Sequence, residues 1–286
     1  MPKIRSNGLT LHCQQMGTGD DVVMIHGLFA SLAFWYLGVM PGLAGRCRVT
    51  AYDLRGHGYS DVPDSGYSSA DMAMDLGGVL DDLGIERAHL VAHSFGGSVA
   101  LQYALARPDR VRSLTLADVW VPSLQPEPFE WSSASWRDAA VSAARPGERP
   151  ETIPRVAQEG YDEWLRLQGE TAAGGFDAWV ESALFSQWNS DSRVAQRWFQ
   201  LVRTTSAVAD MRAVAGLTPD RLGAVSCPTL AMFGEHSGLL PTLRGLEANL
   251  PSCRTVMVPG AGHLHPLVRA DVFLHQASEF MGSVAP

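Results

Sequence analysis

Short apolar runs alternate with longer amphipathic stretches over most of this chain. Ile4 to Met16 alternates apolar and polar positions around Asn7-Gly8, a hairpin dipeptide, and predicts two antiparallel strands. Val22-Val23-Met24-Ile25-His26 is a continuous apolar run, the pattern of a strand buried on both faces. Helical spacing follows from Leu32 to Leu43, then a strand from Arg48 to Tyr52. Ser69 to Leu83 predicts a helix, with Asp71 in its first turn and Gly84 just past its end. Ala88 to Ala92 is a strand, a helical pattern beginning just past Gly97 runs to Arg107-Pro108, and Val111 to Ala117 is a further strand. After a long interval the alternation resumes with strands at Pro228–Phe233 and Thr255–Val258 and helices at Leu239–Leu250 and Pro266–Met281. Strands separated by helices predict an α/β fold with a mostly parallel twisted sheet flanked by helices.

The interval has a different character. From Val119 to about Ala224 strand signals vanish, and helical patterns cover Ser133–Ala144, Ile153–Leu167, Phe176–Trp188 and Ser192–Val214. Seven of the eight tryptophans fall between Trp120 and Trp198. The chain therefore divides into a sheet domain from two segments, 1–118 and 225–286, and a helical insertion, 119–224. Aromatics at helical spacing chiefly form core, and some of these would line an apolar, water-poor pocket.

Composition narrows the chemistry. A length of 286 residues allows a sizeable core, and a formal charge of −8 argues against nucleic acid or an anionic membrane as partner. Lys3 is the only lysine, so no internal lysine is available for a Schiff base or a P-loop. Cys13, Cys47, Cys227 and Cys253 show no C-x-x-C spacing and read as thiols in a reducing compartment. The N-terminus has no apolar signal-peptide region and no run reaches membrane-spanning length, which together predict a cytoplasmic location.

Candidate chemistry sits at the ends of the predicted strands. Ala92-His93-Ser94-Phe95-Gly96-Gly97 places a serine on a sharp strand-to-helix turn, with the Phe95 N–H at a helix start. His26-Gly27-Leu28 follows the first buried strand, Asp118 ends the strand after the serine-bearing one, Glu235 follows Phe233-Gly234, and His263 lies in Gly260-Ala261-Gly262-His263 after the last strand. His265, two residues on, has no acidic or cysteine neighbour in sequence, so a metal site is not expected.

Several of these segments, in this order, resemble the α/β-hydrolase fold family. Its nucleophile elbow, G-x-S-x-G, matches Ala92 to Gly96 with alanine for the first glycine; Asp53-Leu54-Arg55-Gly56-His57-Gly58-Tyr59-Ser60 resembles its D-x-R-G-x-G-x-S loop; and the order serine, acid, histidine is the family order. The resemblance implies Ser94 as nucleophile, His263 as base, and the N–H groups of Leu28 and Phe95 as an oxyanion hole. It also implies that 119–224 is a cap and that no cofactor is needed. His26 and the Asp53–Ser60 loop are expected to be structural. The family commonly places its acid where this chain has Ser237. A serine cannot hold imidazolium charge as a carboxylate does. Asp118 is the preferred substitute and Glu235 the alternative.

The expected function is hydrolysis of an ester, lactone or thioester of a small to medium apolar substrate through an acyl-enzyme. A carbon–carbon bond hydrolase would use the same serine and histidine. The other class left open is a non-hydrolytic member of the fold: lyase, cyclase, acyltransferase, cofactor-free oxygenase or ligand binder. Epoxide hydrolases and haloalkane dehalogenases need an aspartate in the elbow, which Ser94 excludes. An apolar cap surface could also be buried in a homodimer.

Overall fold

The computed structural model describes residues 3–28, 30–126 and 193–284. A single eight-stranded sheet runs through it: β1 Lys3–Ser6, β2 Leu9–Met16, β3 Asp20–Ile25, β4 Cys47–Tyr52, β5 Ala88–His93, β6 Val111–Ala117, β7 Thr229–Gly234 and β8 Cys253–Val258. The spatial order is β1-β2-β4-β3-β5-β6-β7-β8. The β1–β2 hairpin is antiparallel, and β2 joins β4 antiparallel. From β4 to β8 every pairing is parallel. Asn7 and Gly8 both take positive φ, 49° and 79°, as a two-residue hairpin turn requires.

Helices cover both faces of the sheet. The longer ones are α3 Ser69–Asp82, α4 Phe95–Ala106, α8 Leu240–Asn249 and α10 Ala270–Ser283, with short α1 Ala33–Tyr36, α2 Met40–Leu43, α7 Pro219–Leu222 and α9 His265–Val268. Alternate residues of each central strand feed two separate cores. Ile25, Leu90, Ala92, Leu116 and Phe233 join Met72, Leu76, Val99 and Leu246 on one face. Met24, Val91, Ala117 and Met232 join Trp35, Met40, Phe273 and Phe280 on the other. A strand packed on both faces must be apolar where it is buried, which is why Val22–Ile25 of β3 and Leu90–Ala92 of β5 read as unbroken runs.

Helix α3 starts where the sequence signals it. Ser68 accepts from the Asp71 N–H, and the Asp71 carboxylate accepts back from the Ser68 N–H at 3.2 Å, a complete capping box. Two predicted helices of the sheet domain are broken. Leu32–Leu43 is α1 and α2, because Pro41 has no N–H to continue the first helix and instead opens the second. Pro266–Met281 is α9 and α10, parted at Arg269, whose φ of −128° is not helical.

Of the helical insertion, the predicted helices Ser133–Ala144, Ile153–Leu167 and Phe176–Trp188 lie outside the described residues. Ser192–Val214 resolves into α5 Arg193–Thr204 and α6 Ala207–Arg212, parted where the Ser206 N–H turns to the Asp64 carbonyl at 2.9 Å. Leu201 of α5 is buried in the core and packs beside Gly56, where an added Cβ would lie 2.6 Å from it.

The loop after β4 is a polar frame. Asp53 accepts from the Leu32 N–H at 2.7 Å and the Tyr59 N–H at 3.0 Å, and pairs with His12 Nδ1 at 2.8 Å. Arg55 grips Asp75 of α3 through two parallel bonds of 2.6 Å, both groups buried. Asp75→Asn would leave the guanidinium buried and uncompensated. The expected loss is about 3–5 kcal/mol, measurable by urea denaturation; a loss within about 0.5 kcal/mol would contradict this account.

Two further buried side chains tie stability to pH. Burial holds His57 down at about 3 and His89 at about 4. The unfolded chain takes up these protons near pH 6.5, the fold only at those lower values, so stability is fully present above about pH 6.5 and declines as pH falls towards 4. Denaturation midpoints should fall across that window, and His89→Gln should flatten the slope.

Candidate active site

The C-terminal ends of β3, β5, β6, β7 and β8 share one edge of the sheet. Chain order runs away from β3 in both directions, towards β4 on one side and β5 on the other, so the crevice between β3 and β5 is the switch point where α/β sheets build sites. Ser94 stands at that crevice. Its φ of 53° and ψ of −128° are strained for a non-glycine residue, the conformation of a sharp elbow between β5 and α4. Two bonds brace the turn: the Ser94 N–H donates to Ala117 O at 3.2 Å, and Ser94 O accepts from the Trp120 N–H at 3.2 Å.

The loop after β3 lies directly against this serine. A Cβ on Gly27 would lie 2.6 Å from Ser94 Cβ, so only glycine permits the approach. Leu28 follows Gly27 in the chain, and Phe95 opens α4 directly after Ser94. Gly96 passes so close to β3 that a Cβ there would lie 2.6 Å from His26 O. His26 itself is buried and holds backbone: its Nδ1 bonds Gly27 O at 2.7 Å and its Nε2 accepts from the Leu54 N–H at 3.1 Å. That acceptance keeps the ring neutral, and burial lowers its proton affinity further.

Asp118 ends β6 one strand over, fully buried, with a φ of 46°. Its carboxylate spans the end of β7. Oδ2 accepts from the Gly234 N–H at 2.8 Å, Oδ1 accepts from the Ser237 hydroxyl, and Oδ1 lies 3.6 Å from His263 Nδ1. The histidine loop folds down over Gly234, where a Cβ would lie 2.4 Å from Gly262 O. The His236 N–H fixes that loop by donating to Ala261 O at 2.9 Å. Glu235, the alternative acid, is exposed and turned to the loop backbone: its Oε2 accepts from the Gly260 N–H at 2.8 Å. Ser94 and His263 keep 8% and 6% of their surface exposed, against none for Asp118.

Two histidines that the sequence reading left without a role belong to this assembly. His93, the residue before Ser94, donates from Nε2 to His263 O at 2.9 Å. Its ring stacks on Phe34, centroids 4.3 Å apart, and burial together with the neighbouring His263 holds it neutral. It ties the serine elbow to the histidine loop across the sheet edge. The signal available was a histidine inside an otherwise small and apolar turn. His265 lies beneath, fully buried, with Nε2 3.0 Å from Met232 O and 3.8 Å from Asp118 Oδ2, and burial lowers its pKa to about 4. Among the described residues no cluster of side chains is arranged to hold a metal ion, and no helix is long and apolar enough to cross a membrane.

The comparisons agree with this architecture. A sequence model of the family described as "alpha/beta hydrolase fold" matches residues 21–270. The chain is similar to "Putative carbamate hydrolase RutD" of Variovorax paradoxus, 30% identical over 282 residues, covering 97% of this chain and 98% of that protein. It is also similar to the pimeloyl-acyl-carrier-protein methyl ester esterase of Aeromonas hydrophila, 27% identical over 288 residues, covering 96% and 100% of the two. Among solved structures, "Est816 as an N-Acyl homoserine lactone degrading enzyme" superposes with a TM-score of 0.68 at 24% identity, over 98% of this chain and all of that one (100%). A twisted, mostly parallel sheet with helices on both faces, an elbow serine at its switch point and a family match across most of the length make this chain a member of the α/β-hydrolase fold family, with hydrolases among its named relatives.

Proposed function

We propose that this enzyme hydrolyses an ester, lactone or thioester of a small to medium apolar substrate with a Ser94–His263–Asp118 triad. The observation that carries the reading is the Asp118 carboxylate, 3.6 Å from His263 Nδ1, one strand from a serine held at positive φ. In this reading Asp118 fixes His263 with its proton on Nδ1, leaving Nε2 to take the Ser94 proton. Ser94 Oγ attacks the substrate carbonyl carbon. The oxyanion is held by the N–H groups of Leu28 and Phe95, each worth about 10²-fold or more in rate. Protonated His263 delivers its proton to the leaving group. Water, deprotonated by the same imidazole, then releases the acid and restores the serine.

Residues 119–224 form the cap over this crevice in the same proposal. Its support is the buried Trp120 and Val121 directly after Asp118, the burial of Leu201, and the hydrogen bond from Arg197 to Ser60 O. An apolar cover would exclude water until the acyl-enzyme has formed and favours an uncharged acyl part. The family and its named relatives support hydrolysis; the triad and the substrate class are the proposal.

Labelling with a fluorophosphonate probe, followed by hydrolysis of p-nitrophenyl esters, tests the roles. Wild type should label, and Ser94→Ala should not. Asp118→Asn should lower kcat by roughly 10³- to 10⁴-fold, the cost of the wrong imidazole tautomer. Glu235→Gln should stay within about threefold of wild type, because its carboxylate holds only an exposed loop N–H. A folded wild type that neither labels nor hydrolyses small esters would sink the proposal; a collapse in Glu235→Gln with Asp118→Asn unharmed would move the acid to position 235.

A further inference from the structure

Ser237 occupies the loop after β7 and is buried, with 6% of its surface exposed. Its hydroxyl makes two bonds, and their directions are fixed by chemistry. The Leu239 N–H can only donate, so Ser237 Oγ accepts from it at 3.0 Å. The hydroxyl hydrogen is then free to go to one partner, and that partner is Asp118 Oδ1. Oδ1 is also the oxygen that faces His263 Nδ1 at 3.6 Å. The second oxygen, Oδ2, is held by the Gly234 N–H at 2.8 Å. Each carboxylate oxygen thus has its own donor, and the two donors come from the same loop, three residues apart. A carboxylate held by one oxygen can pivot about that bond; held by both, it cannot.

We propose that Ser237 is a positioning residue: its hydroxyl fixes Asp118 Oδ1 in the orientation that faces His263. The proposal rests on the reading of Asp118 as the acid. It gives the serine at this position a definite task in place of the missing carboxylate: a donor to an acid that arrives from β6. A direct ion pair at position 237 is not needed.

The test is a double-mutant cycle in the full-length enzyme, with p-nitrophenyl butyrate turnover and the rate of fluorophosphonate labelling as readouts. Ser237→Ala should lower kcat about tenfold with KM within twofold, the loss expected when a hydrogen bond to a charged group is removed. In the Asp118→Asn background the same change should cost less than twofold, because the group it acts through is already disabled. If Ser237→Ala folds poorly, Ser237→Cys replaces it, being close in size but a weak donor; the same losses are expected. An unchanged kcat in folded Ser237→Ala or Ser237→Cys would overturn the proposal. So would an equal loss in both backgrounds, since a purely structural role gives additive effects. If Asp118→Asn by itself leaves kcat unchanged, it is the triad reading that fails, and that result is visible before any Ser237 variant is compared.

Discussion

A carboxylate with no exposed surface constrains the whole C-terminal edge of the sheet. Taking such a group out of water costs several kcal/mol unless donors replace its hydration. At Asp118 the donors are the Gly234 N–H and the Ser237 hydroxyl, with the rings of His263 and His265 3.6 and 3.8 Å away. Supplying them draws on the ends of three neighbouring strands. β6 delivers the carboxylate, β7 its donors, and the loop after β8 the histidine. The positive φ of Asp118 is part of the same arrangement, since it turns the side chain across β7 while its own N–H still bonds Met232 O at 2.8 Å.

The Ser94 side is organised by close backbone approach. Gly27 lies against Ser94, and Gly96 against the end of β3. Parallel pairing of β3 with β5 brings the turns after these strands together, so the Gly27 loop and the Ser94 elbow are placed by the ladder. His93 then links this half to the other by bonding the His263 carbonyl. Its neutrality matters: a buried imidazolium there would repel a protonated His263, and burial in apolar surroundings prevents it.

The polar frame after β4 works at one remove. Asp53 holds Leu32, at the far end of the loop that contains Leu28, and Arg55–Asp75 locks the loop after β4 to α3. The surrounding loops are therefore held by a buried ion pair and by the sheet, which is how a strained serine turn persists.

Much of this was legible in the sequence, for identifiable reasons. Strands buried on both faces must be apolar where they are buried, so the Val22–Ile25 and Leu90–Ala92 runs announce themselves; Asn7-Gly8 and Asp71 in the first turn of α3 mark their elements by local chemistry alone. The order of elbow, acidic residues and histidine loop is likewise a linear property, and it pointed to the α/β-hydrolase sheet. Local periodicity did not show that Pro41 and Arg269 interrupt their helices, because a helical face continues past a break in the backbone ladder. Nor could it orient a side chain across strands. That Glu235 turns to Gly260, that the Ser237 hydroxyl meets Asp118, and that His93 reaches the His263 carbonyl depend on which strand lies beside which. These contacts join residues apart in the chain, and only the assembled sheet sets their distances.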